Sequence, residues 1–236
     1  PVDPKIVNRQ SWIQVASAIL LVLVCIPYFA MRGIFSEGGR LPQLVGFGFL
    51  ILFGIYIWRS ITWSKLAPPD EVDDSTVTID RDVRPVIAIL ELILGVALVL
   101  IGSRILIPAV EETALRLRIP DAIIAATLVA FGTSLPELVT AITAVRKGHG
   151  ELALGNILGA DVLNVLFVTG AAAAVTRGGL KVPPEFFYLF FPSMFFVVIV
   201  LRAGIGRTTH YFSKAFGFVL LFAYIVTVVL GYVVPG

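Results

Sequence analysis

Residues 121–145 read DAIIAATLVAFGTSLPELVTAITAV. The run is long and apolar enough to cross a bilayer, for which about 20 mostly apolar residues suffice. Its middle nevertheless holds Gly132, Thr133, Ser134, Pro136 and Glu137. An ionisable group in mid-span is rare and usually functional, so Glu137 stands out first. Pro136 has no amide hydrogen and disturbs the turn before it, which frees a carbonyl. Gly132 leaves the backbone open to close approach. Ala130, Thr133, Ser134 and Glu137 recur at i, i+3, i+4 and i+7 and so share one helical face. The stripe offers hydroxyls, a carboxylate and loosened carbonyls. That is an oxygen-only ligand set, suited to Na⁺ or Ca²⁺ rather than to a soft metal. For the hydroxyls alone a second reading stays open, because Ser and Thr also patch helices broken by proline. A lone buried carboxylate needs a cation, a proton or a partner.

Working outward, the next apolar run carries Gly155-Asn156-Ile157-Leu158-Gly159-Ala160-Asp161-Val162-Leu163-Asn164. Asp161 is a second mid-span carboxylate. Asn164 follows one turn later, and Asn156 lies on a nearby face. Gly155, Gly159 and Ala160 are small and let another helix pack closely. Asn156 and Asn164 read either as lining residues or as interhelical hydrogen-bond glue. If the two runs form adjacent antiparallel helices, Glu137 and Asp161 are expected to face each other. Two negative charges there would suit one Ca²⁺ or several monovalent ions.

Composition agrees with a membrane setting. Of 236 residues, 58% are hydrophobic and 14% charged, and mean hydropathy is +0.95. Soluble domains carry about a quarter charged residues. Too few charges remain here to solvate a globular surface, which excludes a soluble enzyme, a disordered chain and a nucleic-acid binder. The net charge of +2 suggests no polyanionic partner, and a single cysteine, Cys25, excludes an internal disulfide. His149 and His210 leave little scope for a zinc site, and His149, in a Gly-rich turn, reads as solvated. No nucleophile–base pair, phosphate loop or haem motif is present, so no enzyme activity and no cofactor is expected.

Seven apolar stretches run roughly over 12–31, 42–63, 86–108, 121–145, 152–175, 184–202 and 212–234. Helices are the expected solution, because lipid offers no partners for backbone polar groups. No stretch shows strand-like alternation. The fold class is therefore all-α: a polytopic membrane protein with seven transmembrane helices. A polar linker over 64–84 holds Asp70, Glu71, Asp73, Asp74, Asp80 and Asp82 and reads as a solvated loop. It divides residues 1–63, with two helices, from residues 85–236, with five.

Basic residues set orientation. Lys5, Arg9, Arg59, Lys65, Arg81, Arg84, Arg146, Lys147, Arg202, Arg207 and Lys214 fall on the side that holds Pro1. Arg32, Arg40, Arg116, Arg118, Arg177 and Lys181 fall on the other, with Arg104 near it. The first side is expected to be cytoplasmic, which places the C-terminus outside. Residues 1–63 and 181–236 also share a pattern: a polar Pro-containing lead-in, a span ending in Arg, a short link and a last span. Three helices precede the second copy, so three more are expected upstream of Pro1. Five helices per repeat would make the two repeats inverted in the membrane. The start Pro1-Val2-Asp3-Pro4, with no initiator Met and no signal-peptide pattern, reads as a processed or incomplete chain.

The run from Gly132 to Asn164, GTSLPELVTAITAVRKGHGELALGNILGADVLN, resembles the second alpha-repeat of the cation/Ca²⁺ exchanger superfamily. Bacterial and archaeal sodium/calcium antiporters are its nearest likeness. The motif covers 130–164, and Leu100-Ile101-Gly102-Ser103-Arg104 is similar to the helix before that repeat. The resemblance implies a ten-helix inverted-repeat fold, of which this chain would be the fourth through tenth helices. It implies that Glu137 and Asp161 are acidic ion ligands. Thr133 and Ser134 would add hydroxyl or carbonyl oxygens, Ala130 a backbone carbonyl, and Asn156 would line the site. Ala160 and Asp161 stand where many members have Ser-Asn. The resemblance further implies a secondary antiporter of a bacterial inner membrane. It would move Ca²⁺ in exchange for Na⁺ or H⁺ by alternating access, its other ligands supplied by missing N-terminal helices or a complementary chain. The alternative is a truncated, exchanger-like structural or accessory subunit without independent transport.

Overall fold

The computed structural model describes residues 4–28, 33–65, 130–207 and 214–233, and thirteen single positions between 87 and 116. Its long elements are helices α1 (Pro4–Cys25) and α2 (Gln43–Lys65), then the short α3 (Ala130–Thr133) and α4 (Leu135–Arg146). Helix α5 (Gly150–Leu163) runs without a break through a wider π turn (Asn164–Thr169) into α6 (Gly170–Val175). A second π turn (Phe186–Phe190) opens α7 (Phe191–Arg207), and α8 (Lys214–Val233) follows. Five helices are long and apolar enough to cross a membrane: Val7–Cys25, Gln43–Trp63, Leu152–Val175, Phe186–Ile205 and Lys214–Gly231.

The expected all-α polytopic architecture is therefore present, with two corrections. The first span begins earlier than 12–31, because Asn8, Arg9 and Gln10 are carried inside α1 rather than before it. Two three-residue strands also form, β1 (Gly39–Leu41) and β2 (Leu180–Val182), paired antiparallel with Arg40 opposite Lys181. Runs this short carry no legible alternation, and their pairing joins residues far apart in sequence. The expected linker lies almost wholly outside the described residues, as do most of the expected span 86–108 and residues 121–129.

Packing fixes the helix directions. Gln43 Nε2 donates to the Ala174 carbonyl at 2.7 Å, and the rings of Phe53 and Phe167 lie 5.2 Å apart. Residue numbers rise on one helix as they fall on the other, so α2 runs antiparallel to α5–α6. Helix α1 runs parallel to α5: Gln10 lies beside Gly155, and Gln14 bonds Asp161 further along both helices. Helix α7 returns against α1, with Arg202 over the Trp12 ring at 4.8 Å.

Two apolar clusters hold the bundle. Leu41, Phe49, Cys25, Val162, Leu166, Ala173, Val182 and Phe191 pack beneath the two strands. Val7, Leu158 and Leu201 pack toward the opposite end. Outward faces remain apolar, as on α2 and α8, where Leu44, Trp58, Phe218 and Phe222 are exposed. In water this would be a liability, but against lipid it is the expected surface. The first cluster closes tightly at a glycine crossing. A Cβ on Gly46 would lie 2.5 Å from the Ala174 nitrogen and 2.7 Å from the Gly170 oxygen, both rigid backbone atoms. Small residues at such crossings let helix backbones approach.

Gly46→Val is expected to destabilise the protein by about 1–3 kcal/mol, the usual range for overpacking. Gly48→Ala, whose Cβ meets nothing within 4 Å, is expected to stay within about 0.5 kcal/mol of the parent. Paired thermal melts in one detergent check both.

Candidate ion-binding site

The motif helix is interrupted at the point where its chemistry sits. Helix α3 ends at Thr133, Ser134 turns with φ −90° and ψ 0°, and α4 starts at Leu135. Pro136 occupies the first turn of α4, where a missing N–H is tolerated. It cannot donate to the Gly132 carbonyl, which an unbroken helix would require. Glu137 also lies in that first turn, where a carboxylate interacts favourably with the positive end of the helix. The sequence thus places a helix end, a carboxylate and a freed carbonyl group within one short segment.

The six expected site residues fall as follows. The Ala130 carbonyl accepts the Ser134 N–H at 3.1 Å and the Thr133 hydroxyl at 3.1 Å. Thr133 therefore does patch the broken helix, though its lone pairs remain. Ser134 makes no capping bond with its side chain. Ala130, Thr133 and Ser134 are exposed and Glu137 is half-buried. The Glu137 Oε2 is closed off from solvent and has no hydrogen-bond partner among the described residues. Asp161 is half-buried on α5 and accepts a hydrogen bond on Oδ2 from Gln14 Nε2 of α1. Among the described residues no cluster of three or more His, Cys, Asp or Glu side chains forms.

The α4–α5 hairpin is tied by the motif itself. Asn156 Nδ2 donates to Thr140 Oγ1 at 3.1 Å, and Thr140 Oγ1 donates to the Glu137 carbonyl at 2.9 Å. Asn156 therefore joins the two helices and reaches the backbone of Glu137 through one hydroxyl. The two readings left open for it, glue and lining, are compatible, since it is also exposed. The turn between the helices differs from expectation at His149. It is half-buried, and its carbonyl accepts the Leu152 N–H at 3.1 Å at the start of α5.

Two participants escaped the sequence reading. Thr140 stands one turn beyond Glu137, where its hydroxyl resembled any helix Thr. Gln14 belongs to a span with no recognised motif. The available signal was a polar stripe, Ser11, Gln14 and Ser17, at spacing i, i+3, i+6, running from the polar start of α1 into its apolar part. All three side chains are buried, at 0%, 2% and 5% exposure.

Residues 87–233 match the family model described as sodium/calcium exchanger protein. A putative antiporter of Alkalimonas amylolytica is 29% identical over 213 residues, covering 87% of this chain and 64% of the relative. A sodium/calcium exchanger of Methanosarcina acetivorans is 43% identical over 82 residues, 35% of this chain and 23% of the relative. An inner membrane protein of Escherichia coli is 32% identical over 141 residues, 59% of this chain and 43% of the relative. The chain thus spans less than two thirds of the length of each of these relatives. No solved structure matches it. The match over most of the chain, on a bundle of membrane-crossing helices that carries a broken helix and two carboxylates, makes this chain a member of the sodium/calcium exchanger family.

Proposed function

We propose that the protein containing this chain is a secondary antiporter that moves Ca²⁺ across the membrane in exchange for Na⁺ or H⁺. The observation that carries this reading is the Glu137 Oε2, enclosed and unpartnered on a broken membrane helix. A carboxylate oxygen in that position needs a cation or a proton. Discontinuous helices near the bilayer midplane are where secondary transporters bind their ions.

In this reading Glu137 and Asp161 supply charge. Thr133 and Ser134 supply hydroxyl oxygens, Ala130 a carbonyl, and Asn156 lines the site while fixing the hairpin. Ca²⁺ takes six to eight oxygen ligands, and in this reading helices outside this chain, in a ten-helix inverted-repeat arrangement, share in supplying them. Alternating access follows when one pair of spans slides against the rest and opens the same oxygens to either side. Ca²⁺ and Na⁺ compete for the same carboxylates, which couples their movements. The bilayer is a bacterial inner membrane, with Pro1 on the cytoplasmic side and the C-terminus outside. Residues 1–63 end the first repeat, and 85–236 form the second.

Glu137→Gln keeps the shape of the side chain and removes its charge. Sodium-gradient-driven Ca²⁺ uptake into vesicles is expected to fall at least about tenfold, in line with a lost charge partner of 1.4 kcal/mol or more. Parent-level uptake by this variant would remove Glu137 from the site. Thr140→Val cuts the path from Asn156 to the Glu137 backbone and leaves every proposed ligand in the chain unreplaced. Ca²⁺ affinity is expected to fall about 10–100-fold, the range for partners that orient metal ligands, as read by radiolabelled Ca²⁺ binding.

A further inference from the structure

The polar stripe of α1 lies outside the motif hairpin, and the proposed function makes no use of it. Gln14 is 2% exposed and its Nε2 donates to Asp161. Its Oε1 is buried and has no partner among the described residues. One turn earlier Ser11 is 0% exposed, and its Oγ is equally buried and unpartnered. One turn later Ser17 donates back to the Gln14 carbonyl at 2.8 Å, which leaves Ser17 satisfied. Two enclosed oxygens therefore lie one turn apart on one face of α1, and the side chain that carries one of them is bonded to a carboxylate of α5.

Enclosed polar atoms in folded proteins are nearly always bonded. An amide oxygen accepts only, so Gln14 Oε1 must be met by a donor or a cation. Here the neighbouring charge decides between them. Asp161 brings one negative charge beside the apolar neighbours Leu158 and Val162 of its own helix, both 0% exposed. The Gln14 amide supplies partial positive charge to one carboxylate oxygen, far less than a full neutralising charge. Neutral oxygens plus one carboxylate match a monovalent cation in charge. All of the donors are hard oxygens, which suit an alkali ion.

We infer that Ser11 Oγ, Gln14 Oε1 and Asp161 form a Na⁺ subsite between α1 and α5, separate from the oxygens of the α3–α4 break. This rests on the reading of the protein as a Na⁺-coupled exchanger and adds to it a place where Na⁺ binds without Ca²⁺. Gln14 has two tasks: its amide nitrogen positions Asp161, and its amide oxygen completes the ion's shell. Sodium there would draw Asp161 toward α1, which gives the two ions a physical means of excluding each other.

The test uses the intact protein in detergent, with potassium or N-methylglucamine as balancing cation. Thermal unfolding and Trp12 fluorescence, from the residue next to Ser11, are followed against Na⁺ and, separately, against Ca²⁺. A ligand that binds only the folded state raises the melting temperature. Ser11→Ala removes a hydroxyl that is unpartnered without the ion, so the Na⁺-free melting temperature is expected to hold or rise. Na⁺ affinity is expected to fall roughly tenfold, with Ca²⁺ affinity changed less than about twofold. Gln14→Leu is expected to lose Na⁺ affinity further and to weaken Ca²⁺ as well, because Asp161 loses its positioning partner. Ser11→Ala with parent Na⁺ affinity, or with equal losses for both ions, overturns the subsite and leaves the exchanger reading standing. A parent protein that responds to neither ion overturns both.

Discussion

A carboxylate enclosed in a membrane-crossing bundle must be neutralised, and the arrangement of this protein follows from that requirement. Asp161 meets it in part by drawing Gln14 out of a neighbouring helix. That bond aligns α1 with α5 near their middles, and the Val7–Leu158–Leu201 cluster packs on the same contact. Glu137 answers differently. Its Oε2 stays unpartnered, and the helix that carries it is broken one turn before, so that its own N-terminal end lies nearby. One acid has an amide partner on a neighbouring helix, and the other has an enclosed oxygen with no hydrogen-bond partner among the described residues.

The scaffold around these groups divides into a tight part and a looser one. Helix α2 is pressed onto α6 at the Gly46–Gly170 crossing, and β1 is paired to β2 above it. Such a crossing has no room to shift, since backbone faces backbone. The α3–α4 segment is held to α5 by side-chain bonds through Thr140 and Asn156. Interhelical bonds of that kind contribute only about 0.6–2 kcal/mol each in membranes. The proposed alternating access would draw on both properties: a frame that keeps its shape and a motif helix that can be moved by small energies.

Charge placement at the bundle end near Pro4 supports the same frame. Arg9 lies over the Trp63 ring at 3.7 Å, and Arg59 approaches the same ring at 5.8 Å. Arg202 covers Trp12. Tryptophan and arginine at one level mark a membrane–water boundary. They also bring the ends of α1, α2 and α7 together, beside the Val7–Leu158–Leu201 cluster.

Much of this was legible in the sequence. Apolar runs of about 20 residues disclosed five of the seven expected spans among the described residues, because lipid leaves the backbone few alternatives to helix. Glu137, Pro136 and Asp161 drew attention because each is costly in hydrocarbon, and the motif they belong to disclosed the family. Tertiary structure alone decided what meets those groups. The β1–β2 pairing, the glycine crossing and the Gln14–Asp161 bond each join residues more than a hundred positions apart. Local periodicity carries no information about such pairings. A buried glutamine reads like a surface one until the neighbouring helix is in place, and only then does its position beside a carboxylate acquire chemical meaning.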